Sequence, residues 1–121
     1  MTRIKLNQVV KSVNSLQRIV NVKQYITVKD KLEYAKKYND LFLEHSNDFE
    51  SQQFFVGFIF LRMIIVYAYS NIDFEFTYED YDLLESNGVV NHIIERIGDD
   101  YKTLMQVIQS SKLEERDEVN E

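Results

Sequence analysis

At 121 residues the chain has the size of one domain, about 100–150 residues, and its 45% apolar content suffices for a core. Cysteine is absent, which excludes disulfides, a thiol nucleophile and cysteine-held zinc and fits a reducing cytosol. The net charge of −6 is unevenly spread: residues 1–37 carry nine Lys/Arg against two acids (+7), and residues 38–121 carry five against eighteen (−13). Such a split suits docking to charged partners or head-to-tail contact between copies, although solvated surface is the simpler explanation.

The segment Met1–Asn7 lacks the apolar run of a signal peptide. Val9, Val10, Val13, Leu16 and Val20 fit a helical stripe opening after Asn7 as N-cap. The β-branched stretch Ile19–Ile26 reads as extended and leaves room for a small hairpin. Thr27-Val28-Lys29-Asp30 resembles a capping box. In the helix it opens, Val28, Leu32, Ala35, Leu41 and Phe42 approximate an apolar face, with Lys29, Lys31, Lys36 and Lys37 outside.

A polar loop is expected over residues 45–53. Ser51 is the candidate cap of a long helix, Gln52–Tyr69, that is apolar nearly all round, as a helix enclosed by others should be. Its 16-residue apolar run from Phe54 to Tyr69 carries Arg62 and falls short of the ~20 residues of a membrane span, so it reads as a buried core helix. Gly57 allows a neighbouring element to approach. Arg62 should pair with an acid or lay its stem along apolar surface. Thr77-Tyr78-Glu79-Asp80 is a second capping box. The helix it opens stops at Gly88, a second short helix ends at Gly98, and Asp99 or Asp100 caps the last. Residues 112–121 are charged and aperiodic, and are expected to be disordered. The fold class is therefore mainly all-α: one domain over residues 1–111, a five- or six-helix bundle around the central helix 52–69, with a short extended or hairpin segment within residues 1–26.

No constellation for catalysis emerges. His45 and His92 lie in different elements and outside any His-Glu-x-x-His pattern. The three glycines at 57, 88 and 98 are isolated, so no phosphate loop exists, and there is no Gly-x-Ser-x-Gly elbow. The acids of residues 73–85 lack the central glycine of an EF-hand calcium loop, and Glu79 and Asp80 are better read as favouring a helix N-terminus. No catalytic, cofactor-binding or metal-ligating residue is assigned, and no cofactor is expected.

Two surfaces remain as candidates. Asp73, Glu75, Tyr78, Glu79, Asp80 and Asp82, interleaved with Phe74, Phe76 and Tyr81, could form an acidic face with aromatic anchors for a basic protein. The alternative is that the aromatics point into the core and the acids into water. Lys23, Lys29, Lys36 and Lys37 form a candidate basic face, but the −13 remainder opposes direct nucleic-acid binding.

Three motifs carry a resemblance. Lys23-Gln24-Tyr25-Ile26 with Asp30-Lys31-Leu32, then Tyr69-Ser70-Asn71-Ile72-Asp73-Phe74, then Tyr81-Asp82-Leu83-Leu84-Glu85-Ser86-Asn87-Gly88 with Ile93-Ile94, resemble in order and spacing small proteins encoded by tailed phages of Gram-positive bacteria. The likeness spans roughly residues 22–108. It departs in the first twenty residues and at Gly98, where such proteins carry proline. It implies a phage protein travelling with virion structural genes and supplies no catalytic residue. The expectation is a non-enzymatic virion-assembly protein, either a neck or connector piece or a tail-assembly chaperone. Its partners would be other phage structural proteins or itself, in the host cytoplasm or the virion, with no membrane. The alternative is an anti-defence or host-takeover inhibitor that binds a basic site on a host protein through the acidic face.

Overall fold

The computed structural model describes residues 2–10 and 19–120, with side chains through Ser111. In chain order the elements are β1 (Ile4–Lys5), α1 (Leu6–Val9), α2 (Val28–Glu44), a 3-10 turn (Glu50–Gln52), α3 (Gln53–Tyr69), β2 (Ile72–Asp73), α4 (Tyr78–Ser86), α5 (Val89–Arg96) and α6 (Asp100–Asn120). The protein is mostly helical, and its one sheet among the described residues has two short strands.

Both capping boxes act as N-caps. Thr27 accepts a hydrogen bond from the Asp30 amide and Thr77 one from the Asp80 amide, each supplying a first-turn N–H with an acceptor. Two other starts differ from expectation. Helix α1 begins at Leu6 after Lys5, so Asn7 lies inside it. Ser51 falls within the 3-10 turn, and α3 begins at Gln53 without a side-chain cap. Val13 and Leu16 lie outside the described residues. The α6 backbone continues to Asn120. Its Leu, Glu, Arg and Lys residues all have high helix propensity.

Among the described residues, the extended N-terminal segments pair with a third segment and not with each other. β1 pairs in parallel with β2, Ile4 opposite Ile72 and Lys5 opposite Asp73, while Val22 bridges Ser70 in the antiparallel sense. Both therefore use the strand that leaves α3. Arg3 fixes this arrangement. Its guanidinium donates to the carbonyls of Tyr67, Ser70 and Ile72 at 3.0–3.1 Å and to the Tyr34 hydroxyl at 3.3 Å. It also lies 3.7 Å from the centre of the Tyr67 ring. A cation there satisfies carbonyls that the end of α3 leaves open and opposes the negative end of its dipole.

Helix α3 is the core element. Phe60, Met63, Ile64, Val66, Ala68 and Tyr69 are fully buried, and α3 packs on α2 and α5. Burying each large aliphatic or aromatic side chain contributes roughly 1.5–3 kcal/mol. Gly57 marks the closest approach to α2. A Cβ there would stand 3.1 Å from the Tyr38 hydroxyl and 3.2 Å from Phe42 Cε2.

The buried face of α2 is rotated from the expected one. Val28 and Leu32 are exposed, whereas Lys31 is only 4% exposed. Its ammonium lies 2.8 Å from Asp100 Oδ1, and Asp100 Oδ2 accepts from the Tyr69 hydroxyl at 2.9 Å and from the Ile26 amide at 3.1 Å. One carboxylate thus ties the segment before α2, α2 itself, α3 and the start of α6. Burial raises the Asp100 pKa, but the bonds from Lys31, Ile26 and Tyr69 outweigh it and leave the carboxyl below its ordinary range. Burial, and then the same carboxylate, push the Tyr69 hydroxyl well above its ordinary value.

Candidate functional site

Helix α3 is apolar nearly all round but is not enclosed nearly all round. Its C-terminal half is the core, whereas Phe54 is 100% exposed, Phe55 51% and Phe58 47%. At 100° per residue, Phe54, Phe58 and the half-buried Leu61 fall in one stripe, with Phe55 and Arg62 beside it. The stripe borders a mostly apolar groove of about 640 Å³ lined by Tyr38, Phe42, Gln53, Phe54, Phe55, Gly57, Phe58 and Leu61. The absence of a side chain at Gly57 lets Tyr38 and Phe42 form its far wall. The Phe55 and Phe58 rings stack with centroids 6.3 Å apart. A contiguous patch of this kind marks an interaction site more often than scattered exposed leucines do.

The turn leading into α3 presents a further aromatic. Phe49 is 68% exposed and adopts φ 49°, a left-handed conformation that costs a non-glycine residue about 1–2 kcal/mol. Around it, His45 Nδ1 lies 2.7 Å from Asp48 Oδ2, which accepts from the Tyr78 hydroxyl at 2.9 Å. The His45 ring lies flat on Phe60 with centroids 4.5 Å apart. The bonds from His45 and Tyr78 hold the Asp48 carboxyl below the usual range, while burial and that carboxylate push the Tyr78 hydroxyl up to about 12. This trio fastens the α2–α3 turn to α4. His92 lies elsewhere, half-buried on α5, where burial and then Arg96 lower its pKa.

Arg62 pairs with an acid, one of the two fates expected of it. Its Nη2 lies 3.5 Å from Glu85 Oε2, and its guanidinium sits 4.9 Å from the Phe58 ring centre. Its Nε is buried and has no hydrogen-bond partner among the described residues.

The acidic candidates separate into two groups. Asp73, Glu75, Glu79 and Asp82 are exposed. Asp80 instead accepts from the Glu75 amide at 2.7 Å, and Tyr78 is committed to Asp48. The interleaved aromatics turn inward: Phe74 and Tyr81 are buried, and Phe76 packs against Phe74 and Tyr67. The acidic face therefore lacks aromatic anchors, and Asp73 stands opposite Lys5 across the sheet.

Of the basic candidates, Lys29, Lys36 and Lys37 are exposed on α2 and Lys23 is half-buried in the segment before it. Glu33 and Asp40 follow Lys29 and Lys36 by four residues, so that face alternates in sign. Lys37 lies over the Phe76 ring at 5.1 Å.

The residues that sequence reasoning missed are Phe54, Phe55 and Phe58. Their spacing was visible, but nothing local distinguished them from Phe60 and Ile64, which are buried. Among the described residues no group of three or more metal-ligating side chains converges. No protein-family model, no curated protein and no solved structure matches this chain.

Proposed function

We propose that the protein is a non-enzymatic virion-assembly protein of a tailed phage, acting through protein–protein contacts as a neck or connector component or a tail-assembly chaperone. The exposed phenylalanine face of α3 carries the protein-contact part of this reading. Three rings held at a water-facing surface lose hydrophobic stabilisation that burial against a partner would supply. The phage part rests on the three sequence motifs. Of these, Tyr69–Phe74 forms the exit from the core helix and Tyr81–Gly88 forms most of α4.

The test is co-purification from phage-infected cells. Portal, capsid or tail proteins should be recovered with the tagged chain and lost with Phe54→Glu. Absence of any phage structural protein would sink the proposal. Mass spectrometry of virions then separates a connector, which stays in the particle, from a chaperone, which does not. The inhibitor reading rests on the exposed carboxylates of Asp73, Glu79 and Asp82. It predicts a stoichiometric host protein released by charge reversal at those positions. Unchanged binding would count against it. Asp80 is a poor probe there, because it also holds the Glu75 amide.

A further inference from the structure

We propose that the phenylalanine face of α3 pairs with the same face of a second copy, the two α3 helices packing antiparallel across a two-fold axis near Phe58. The inference rests on the protein-contact reading above and names its partner.

Three observations favour a copy over an unrelated helix. First, the stripe has the spacing of a helix–helix seam. Phe54, Phe58, Leu61 and Ile65 recur in steps of four, three and four. Ile65 is already buried, so the seam is open only at its N-terminal end, the length over which two such helices can cross.

Second, the charge on the face fits itself in one orientation only. Arg62 is the one residue of α3 that is charged at neutral pH. Parallel pairing would set the two guanidinium groups together. Antiparallel pairing about Phe58 sets Arg62 of each copy against Phe54 of the other, over a ring that attracts a cation. Arg62 already lies against one phenylalanine, and among the described residues its buried Nε has no bonding partner.

Third, the area is of the right order. Together the three exposed fractions amount to about two whole phenylalanines, or roughly 400 Å² at ~200 Å² each. That is half of the ~800 Å² per partner of a standard interface before the groove walls are counted. Because the face is apolar while each copy carries −6, added salt should strengthen the pair by screening repulsion. A head-to-tail contact between the basic and acidic ends would weaken instead.

The full chain is examined by sedimentation equilibrium over a wide concentration range at low and high salt. Because the protein has no cysteine, single-cysteine variants report register without background. The expected result is twice the monomer mass, strengthened by salt and lost with Phe54→Glu. That variant should retain wild-type circular dichroism, because the residue is wholly exposed. Phe58→Cys should oxidise to a disulfide dimer with itself, and Phe54→Cys should crosslink to Arg62→Cys in a mixture.

A monomer at every concentration overturns the pairing. If that monomer still loses phage structural partners with Phe54→Glu, the assembly reading stands with a different occupant; if no partner depends on the face, both fail. A dimer weakened by salt, or one indifferent to Phe54→Glu, also overturns the pairing. So does a monomer that floats with anionic lipid vesicles only when Phe54 is intact, which would make the face a membrane contact.

Discussion

Replacing Asp100 by alanine tests the polar tie between α2, α3 and α6. The substitution leaves Lys31, a residue 4% exposed, with its carboxylate gone, and also strips acceptors from the Tyr69 hydroxyl and the Ile26 amide. Breaking a buried ion pair from one side costs about 3–5 kcal/mol. The two lost neutral acceptors overlap with that figure, so a total near 4 kcal/mol is expected, a large part of the roughly 5–15 kcal/mol that holds a domain together. Lys31→Met should cost less, about 1–2 kcal/mol, because Asp100 keeps both remaining hydrogen bonds and some contact with water. The double variant should lose less than the two single losses together, by about 2 kcal/mol. Urea unfolding followed by far-UV circular dichroism measures all three.

The same group predicts a pH dependence. The folded pKa of Asp100 lies below the unfolded value of about 3.9. Its stabilisation is therefore present above that pH and lost as pH falls through the folded pKa. Wild type should lose more stability than Asp100→Asn between about pH 4 and pH 2. A loss under about 1 kcal/mol for Asp100→Ala, or strict additivity with Lys31→Met, would refute the reasoning.

Other substitutions probe the remaining joints. Arg3→Ala removes three bonds to carbonyls and the contact with Tyr67. It should cost about 1.5–3 kcal/mol and speed amide exchange at Ile4; Arg3→Lys should rescue only part, because an ammonium lacks the second nitrogen that reaches Tyr34 and the flat face that lies on Tyr67, and unchanged exchange would contradict the clamp. Gly57→Val should cost about 1–3 kcal/mol by driving Tyr38 and Phe42 from α3, and wild-type thermal stability would show that the approach is not tight. Thr77→Ala should cost about 1 kcal/mol through loss of the α4 cap, measured in the same urea titration; no change in midpoint would deny the cap its role.

Much of the fold was legible because it depends on local chemistry. The threonine–acid boxes at Thr27 and Thr77 fix helix starts through hydrogen bonds within one turn, and Gly88 adopts φ 72° between α4 and α5, as a helix-ending glycine should. The continuous apolar run of α3 marked it as the core helix, and Phe60, Met63, Ile64 and Val66 are indeed fully buried. Tertiary structure decided which sides of these helices face what. Lys31 was placed outside by its charge, yet Asp100, 69 residues away, makes a buried position tolerable and rotates the α2 face away from Val28 and Leu32. The aromatics of the acidic stretch turned inward because Tyr67, Phe60 and His45 were there to meet them. Periodicity also could not say that α3 is covered along its C-terminal half and bare at Phe54, Phe55 and Phe58. Its apolar content is much the same on every side, and exposure depends on where its neighbours, α2 and α5 among them, end.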